Sequence, residues 1–265
     1  MIDVSRTFPK VLDLGAGAGH MTVALPLDRI EAVVQLENTR QMLIRDRKEA
    51  QYKLDDGADG VPVTKVVGDE EFLPFQPKSF NAVISCLGMH WVNDLPSMFK
   101  QVHTTLVQDG MFMGAVFGGD TLFELRCSLQ LAEQEVKGGF SPHISPMLGP
   151  SDVGGLLQGA GYTLLTVDQD CIVVNYPSPK ELMEDLKIMG ESNASNTKGE
   201  KLSDDVLEAN ARIYAKEYGN DDGTIPASFD IIYFIGWTPD PTQQKPMKPG
   251  SADINLMEFG DVNTV

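Results

Sequence analysis

The sequence predicts an α/β fold: a Rossmann-like, mostly parallel sheet of seven strands, with helices on both faces and a helical and loop insertion after the fifth strand. Two observations support this prediction. Residues 11–19 (VLDLGAGAG) alternate apolar residues with an acid and then place glycine at every second position, which is typical of a buried strand that ends in a tight turn. Apolar segments then alternate with helix-forming segments as far as residue 117, which is typical of βα units joined by short connections.

The first half of the chain is predicted to contain five strands and three helices. The strands cover residues 11–14, 31–36, 63–67, 80–86 and 111–117, and the helices lie near 19–26, 39–53 and 95–106. Residues 53–62 (KLDDGADGVP) are rich in glycine and aspartate, and this composition predicts a loop.

After residue 117 the predicted helices become longer and the loops less regular. Leucine and phenylalanine recur near the helical period over residues 120–136, with Asp120 as the expected helix cap. The later elements are a proline-broken loop over 137–147, a helix over 151–159, a strand over 162–175 bent around Asp168–Asp170, helices over 179–190 and 203–218, and a strand over 229–238. We expect one domain over 1–238, with a cofactor half (1–118) and a substrate half (119–238), and an extended tail over 239–265.

Composition limits the classes of function. The chain has 265 residues, of which 42% are hydrophobic, and this is ample for a core, yet no apolar run approaches the roughly 18 residues of a membrane span. Three widely spaced cysteines predict neither a zinc site nor a disulfide framework and favour a reducing compartment. The formal net charge of -17 repels phosphate backbones, so we expect no nucleic-acid partner. Most of the acidic excess lies after residue 120.

The glycine loop is open to more than one interpretation. A dinucleotide-binding loop would need a small residue at position 20, where this chain has His20. Instead, Asp13 precedes Gly15 by two residues and a further glycine stands at position 19. This arrangement resembles motif I of class I S-adenosylmethionine (SAM) methyltransferases. A glycine-rich turn that binds nothing is the alternative.

Two later segments favour a SAM site. Glu37 ends the apolar run 32–36 and lies 20 residues past Gly17, where an acid can accept both ribose hydroxyls. Residues 66–75 (VVGDEEFLPF) resemble the methyltransferase segment in which an aspartate contacts the adenine amino group. The resemblance gives this role to Asp69. Glu70 stands where that family usually has alanine, so only its backbone contact is expected to be retained. The predicted cofactor-binding residues are Asp13, Gly15, Ala16, Gly17, Glu37, Asp69, Glu70 and Leu87.

The resemblance extends over nearly the whole chain. It rests on residues 87–96 (LGMHWVNDLP), 118–126 (GGDTLFELR), 138–146 (GGFSPHISP), 175–194 (NYPSPKELMEDLKIMGESNA) and 223–241 (GTIPASFDIIYFIGWTPDP). Together these segments resemble the family of mitochondrial complex I assembly factors with a methyltransferase-like domain, also described as arginine hydroxylases of a complex I iron–sulfur subunit. The bacterial malonyl-carrier-protein methyltransferases share motif I and an HWVND-like segment but lack the third and fourth of these stretches.

That resemblance implies a protein substrate, namely an iron–sulfur subunit of complex I. It also implies action on the matrix side of the mitochondrial inner membrane, with peripheral membrane association. The first predicted strand begins about ten residues into the chain, whereas helices usually precede motif I in class I methyltransferases. We therefore expect that a preceding segment, which would include any targeting sequence, is absent from this chain.

Catalytic candidates lie after the fourth and fifth strands. Ligands bind at the carboxyl ends of strands in open α/β sheets, so His90, Trp91 and Asp94 are candidates for a wall of the substrate site, although Trp91 could equally be a packing anchor. His143 lies on an irregular loop that could form a lid, or it is an ordinary surface histidine. Asp120 and Glu124 are four residues apart and could bind an arginine guanidinium if they face the crevice, or they form a solvated first turn.

Three hypotheses for the chemistry remain open. The resemblance implies hydroxylation of a protein arginine with SAM bound nearby, but no histidine is followed by an acid two residues later, as often found in non-haem iron oxygenases, and we predict no metal site. Ordinary methyl transfer requires few obligatory side chains because the sulfonium methyl is intrinsically reactive. The third hypothesis is a SAM-stabilised assembly chaperone whose acidic second half binds a basic segment.

Overall fold

The computed structural model describes residues 6–44, 60–193, 201–245 and 250. One sheet contains seven strands in the order β3-β2-β1-β4-β5-β7-β6. The strands are β1 (Lys10–Leu14), β2 (Ala32–Glu37), β3 (Val63–Val67), β4 (Phe80–Cys86), β5 (Leu106–Phe117), β6 (Thr163–Tyr176) and β7 (Ile225–Trp237). The first five strands pair in parallel, whereas β7 runs antiparallel to both β5 and β6. The predicted mostly parallel, seven-stranded sheet is confirmed.

Within the described residues, seven helices connect and cover these strands. They are α1 (His20–Ala24), α2 (Arg40–Leu43), α3 (Leu95–Thr105), α4 (Phe123–Lys137), α5 (Pro150–Ala160), α6 (Pro179–Met189) and α7 (Asp204–Tyr218). A 3-10 turn over Met89–Trp91 follows β4. The helix predicted near 39–53 is described only as far as Leu43, and most of its predicted length lies outside the described residues, as does most of the predicted tail over 239–265.

Hydrophobic cores cover both faces of the sheet, because successive residues of a strand point to opposite sides. In β1, Leu12 and Leu14 belong to one core cluster and Val11 to another. The first of these clusters also contains Phe99 of α3 and Leu157 of α5. A separate cluster joins α4, α6 and α7 to the ends of β5 and β7; its fully buried members include Leu182, Tyr214 and Ala227. This last cluster supports the part of the chain added after β5.

The start of α4 differs from the prediction. We expected Asp120 to cap a helix over 120–136, but α4 begins at Phe123 and the residue before it, Leu122, is left-handed with φ 56°. The cause is a linker that runs along β7: the N–H of Gly118 donates to the carbonyl of Asp230 (2.7 Å), and the N–H of Leu122 donates to the carbonyl of Ser228 (2.6 Å). The helix can begin only where these sheet contacts end.

Two strands differ from the prediction. β5 begins at Leu106 rather than 111, and its register with β4 shifts between Phe80 and Ala82. β6 is continuous from Thr163 to Tyr176, and its irregularity lies between Thr163 and Thr166. The predicted bend at Asp168–Asp170 is wrong, because those residues pair in unbroken register with β7.

Candidate functional site

A glycine loop crosses the carboxyl end of β1. Gly15, Gly17 and Gly19 all have positive φ values (66°, 53° and 75°), which residues with a side chain adopt only under strain. A Cβ added at Gly15 would also lie 3.1 Å from an oxygen of Glu70. The loop is tied to β2, since the N–H of Ala16 donates to the carbonyl of Leu36 (3.0 Å). At Gly17 a Cβ would meet nothing within 4 Å, so the backbone there is open to close approach by a ligand, whereas the Glu70 carboxyl lies beside Gly15.

The carboxylate of Glu37 joins this loop to the end of β2. One oxygen accepts from the N–H of Gly17 and the other from the N–H of Thr39, each at 2.9 Å. Each carboxylate oxygen can accept more than one hydrogen bond. Glu37 is therefore held in a fixed orientation while it still has capacity for two further donors.

A small, acidic cavity of about 270 Å³ lies beside Glu37. Its walls come from the ends of β1, β2, β3 and β4 and include Gly15, Glu37, Asp69, Glu70, Glu71, Gly88 and Trp91. Burial raises the pKa of the Glu70 carboxyl; its own backbone N–H opposes this in part, and the charges of Glu37 and Asp69 raise the pKa further. Such a cavity favours a ligand that carries positive charge.

Glu70 contributes more than the sequence suggested. From the resemblance we expected Glu70 to contribute only a backbone contact, because methyltransferases with this segment usually have alanine at the position. In the structure its carboxyl lines the cavity, close above the Cα of Gly15.

Four of the predicted cofactor residues lie outside the lining of this cavity: Asp13, Ala16, Gly17 and Leu87. Asp13 is 1% exposed and accepts a hydrogen bond from the hydroxyl of Thr22 (2.6 Å), which itself accepts from the amide of Gln35 (2.7 Å). Asp13 thus holds α1 against the sheet. Ala16 is buried in the loop, and Leu87 has φ 53° with its side chain packed against the cluster beneath α4. Asp13, Ala16 and Leu87 therefore support the glycine loop and the crevice without lining the cavity.

A larger cavity of about 590 Å³ adjoins the small one. The two share Trp91, Val92 and Asn93 as a common wall. The other walls are mainly apolar and come from α4, α6, the ends of β5 and β7, and the loop between α4 and α5; they include Phe117, Leu125, Leu129, Met147, Met183, Leu186 and Phe229. The catalytic candidates His90, Trp91 and His143 all line this cavity.

His90 is paired with a residue that the sequence did not indicate. Its Nε2 lies 3.1 Å from both carboxylate oxygens of Glu191, and the two side chains are 4% and 12% exposed. The ring of His90 packs beside Trp91 and Phe117, with centroid distances of 5.5 and 5.1 Å. Glu191 is distant from His90 in sequence and follows α6 directly. The one sequence signal for it is its position after Gly190 in the segment over 175–194.

His143 is paired with Glu133 of α4. The distance from Nε2 to the carboxylate is 3.0 Å, and the other carboxylate oxygen accepts from the N–H of Ser141 at 2.6 Å. Burial by itself raises the pKa of Glu133, but the N–H of Ser141 together with His143 and Lys137 outweighs it and lowers the pKa overall. Glu133 therefore connects the loop over the cavity to α4. The sequence did not indicate this residue as part of the site.

The remaining candidates do not enter the large cavity. Asp94 caps α3 by accepting from the N–H of Ser97 (3.0 Å). Glu124 is 2% exposed and accepts from both the N–H (3.2 Å) and the hydroxyl of Ser228 on β7. Asp120 precedes the helix and lines a separate groove beside β6. The expected helix face shared by Asp120 and Glu124 is wrong, because only Glu124 is helical and it points toward β7.

The described part of the chain contains neither a cluster of metal ligands nor a membrane-spanning helix. Within residues 6–44, 60–193 and 201–245, no group of three histidine, cysteine or acidic side chains is arranged to hold a metal ion. No helix among the residues described combines the length and apolar character needed to cross a membrane.

The strand order, the glycine loop and the acids after β2 and β3 define the fold of class I SAM-dependent methyltransferases. A family described as a methyltransferase domain matches residues 12–114. The YcgJ protein of Bacillus subtilis, at 18% sequence identity, superimposes with a TM-score of 0.58 over 89% of this chain and 94% of its own. This similarity supports the fold.

Close relatives narrow the class to a family. The chain is 46% identical over 260 residues to the protein named arginine-hydroxylase NDUFAF5, mitochondrial, of Danio rerio, with 98% of this chain and 78% of the relative covered. The human protein of the same name is also 46% identical, over 99% of this chain and 73% of its own length. The chain belongs to the NDUFAF5 arginine-hydroxylase family.

Proposed function

We propose that this protein is a SAM-binding arginine hydroxylase that acts in the assembly of mitochondrial respiratory complex I. The observation that carries the proposal is the 46% identity to proteins named arginine-hydroxylase over 98% of the chain, a range that contains the walls of both cavities. We further propose that the target is an iron–sulfur subunit of that complex, as the resemblance of the sequence implies. The site of action would be the matrix side of the inner membrane.

The residues of the small cavity fit SAM. Gly17, beside the cavity, leaves the backbone accessible, Glu37 has acceptor capacity for two ribose hydroxyls, and Asp69 follows β3 where the adenine amino group would be bound. Glu70 and its acidic neighbours favour a cation. SAM, when bound, supplies a positive charge and an electrophilic sulfonium methyl.

The large cavity provides the place for the substrate side chain. Its apolar walls over α4 and α6 can pack against methylene groups and exclude water. Hydroxylation replaces one C–H bond of the arginine by C–OH. With dioxygen as the oxidant, the second oxygen atom leaves as water, and an external reductant supplies two electrons and two protons.

The mass of a product peptide tests this proposal. The protein is incubated with an arginine-containing peptide from the partner subunit, SAM, dioxygen and a two-electron reductant, and the peptide is then weighed. A gain of one oxygen atom supports hydroxylation. Heat-treated protein serves as the control. A peptide of unchanged mass under these conditions contradicts the proposed reaction.

Methyl transfer to a protein or carrier-bound carboxylate is the second candidate. The match of residues 12–114 to a methyltransferase domain favours it. A gain of one methylene by the same peptide would support methyl transfer, with the methyl traced to SAM by isotopic labelling. Retained peptide binding without any mass change would instead support the chaperone, whose acidic second half would attract a basic segment.

A further inference from the structure

We infer that Glu191 and His90 form a guanidinium-binding site at one end of the large cavity, and that this pair selects arginine as the substrate side chain. The inference rests on the proposed function for the identity of the substrate protein. The chemistry of the ligand, however, follows from the side chains themselves.

The pair offers hydrogen-bond acceptors. Nε2 of His90 faces both oxygens of Glu191, so in the tautomer that this contact favours Nε2 carries the proton and donates it to that carboxylate. Nδ1 is then an acceptor, and it is buried without a hydrogen-bond partner among the described residues. The carboxylate oxygens of Glu191 also retain acceptor capacity. A ligand that completes this site must therefore be a donor.

The charge of the site also favours a ligand that donates hydrogen bonds and carries positive charge. No lysine or arginine is found among the described residues that line the large cavity, and the side chain paired with Glu191 is that of His90. Glu191 also follows the C-terminal end of α6 directly, where the helix dipole favours a positive charge. A cationic ligand is attracted by both features, whereas a carboxylate or phosphate ligand is repelled.

The carboxylate is attached to a rigid part of the backbone. Gly190 adopts φ 83° at the end of α6, and the N–H of Glu191 donates to the carbonyl of Leu186 at 2.8 Å, in the manner of a Schellman motif. The next turn is tied to the loop over the cavity, since the amide of Asn193 donates to the carbonyl of Pro142 at 2.7 Å. Glu191 can thus bind a ligand without a large loss of conformational freedom.

The shape of the cavity distinguishes arginine from other cations. Guanidinium is planar and presents several N–H donors in a fixed fork. Because Nε2 of His90 already faces both oxygens of Glu191, this fork would donate to the outer lone pairs of the carboxylate and not across its two oxygens. Lysine lacks this fork, and citrulline has a similar shape without the charge. The apolar walls formed by Leu125, Leu129 and Met183 would cover the methylene groups of the arginine side chain.

Small side-chain analogues test this site directly. The probes are the N-acetyl, N-methylamide derivatives of L-arginine, L-citrulline and L-lysine, and their dissociation constants are measured by NMR titration of the whole protein. We expect the wild-type protein to bind the arginine probe about tenfold more tightly than the citrulline probe, because a charged hydrogen bond is stronger than a neutral one. Glu191→Gln removes this preference.

Glu184→Gln is the matched control. Glu184 lies on the same helix, is exposed and pairs only loosely with Lys180 at 3.9 Å, so this variant retains the preference for arginine. His90→Gln weakens binding of the arginine probe by about threefold, since it loses the ring acceptor and the partner that orients Glu191. SAM binding, measured by calorimetry on each variant, reports whether the fold is intact. If Glu191→Gln does not fold, Glu191→Asp replaces it, because the shorter side chain withdraws the carboxylate from the cavity.

The outcomes separate this inference from the proposed function. Equal binding of arginine and citrulline probes by the wild-type protein, or an unchanged preference in the folded Glu191 variant, overturns the guanidinium site. Oxygen gain at the wild-type rate by the Glu191→Gln variant also overturns it, yet leaves hydroxylation standing. A preference that Glu191→Gln abolishes, in a protein that adds no oxygen to the peptide, supports the site and removes the proposed reaction.

Discussion

The two adjoining cavities are built in different ways. The small one is made by consecutive turns at the ends of β1, β2, β3 and β4, and its features are backbone conformation and acids that directly follow strands. The large one is assembled from side chains that are distant in sequence, such as His90 with Glu191 and Glu133 with His143. A ligand site of the first kind is encoded by local patterns, whereas one of the second kind depends on tertiary packing.

This difference predicts separate effects of mutations in the two regions. Changes in the small cavity should alter SAM binding with little effect on folding. Changes in the contacts around the large cavity should alter stability, because these contacts hold α4 and its following loop in place.

The largest expected effect is on the cofactor. Glu37→Ala removes two acceptors for the ribose and releases the N–H groups of Gly17 and Thr39. We expect SAM binding to weaken by about 1–3 kcal/mol, measured by isothermal titration calorimetry. Asp28→Ala, which alters an exposed acid just before β2, is the control. A dissociation constant for SAM that Glu37→Ala leaves unchanged would exclude Glu37 from ribose binding.

A smaller effect on stability is expected at Glu133. Glu133→Gln weakens the contacts with Ser141 and His143, so the free energy of unfolding at neutral pH falls by about 1–2 kcal/mol. Because the folded pKa of Glu133 lies below its ordinary value of 4.5, the carboxylate stabilises the fold above that pH. The deficit of the variant should therefore shrink as the pH falls below 4.5 through the folded pKa.

Urea denaturation across this pH range measures the effect. Glu135→Gln is the matched control, since Glu135 lies on the same helix but is exposed and pairs with Arg212. A pH-independent deficit at Glu133, or an equal deficit in the control, would contradict the role given to Glu133.

Asp94 directly follows the wall that the two cavities share, and it tests whether a residue there acts only as the cap of its helix. Asp94→Ala removes the cap of α3 and should lower the free energy of unfolding by about 1 kcal/mol. Asp94→Asn, which retains a capping oxygen, should recover most of this loss. If thermal unfolding shows no change while the yield of modified peptide falls, Asp94 has a role in the reaction that the cap does not explain.

The smallest effect concerns the pH dependence of SAM binding. The pKa of Glu70 is raised above 4.5, so a fraction of this carboxyl remains protonated just above that pH. A cation favours the ionised form, and SAM affinity should rise by roughly threefold as the pH increases through the raised pKa, as expected for a partly solvated charge pair. In Glu70→Gln this rise should disappear, and a rise that persists would assign the titration to another group.

Much of the small cavity could be predicted from the sequence. The spacing of Gly15, Gly17 and Glu37 reflects a strand, a turn and a second strand, and short-range periodicity is sufficient to locate them. The role of Asp13 was less accessible, because its contact with Thr22 depends on how α1 packs on the sheet. The functional assignments within this cavity stay predictions until SAM binding is measured.

The large cavity was predicted only in part. His90, Trp91 and His143 follow strands or lie in a distinctive loop, so their sequence context indicated them. Glu133 and Glu191 looked like ordinary helical and loop acids, since nothing local shows that folding buries them beside histidines. The first turn of α4 was mispredicted because the contacts of Gly118 and Leu122 with β7 override helix propensity.

Trp91 forms part of the wall that the two cavities share, and this position has a thermodynamic consequence. Any displacement of this indole changes the surface presented on both sides at once. If occupancy of one cavity moves the ring, the other ligand binds a different surface, and the affinities become coupled. Linkage then requires reciprocity: whatever factor SAM confers on substrate affinity, the substrate confers on SAM.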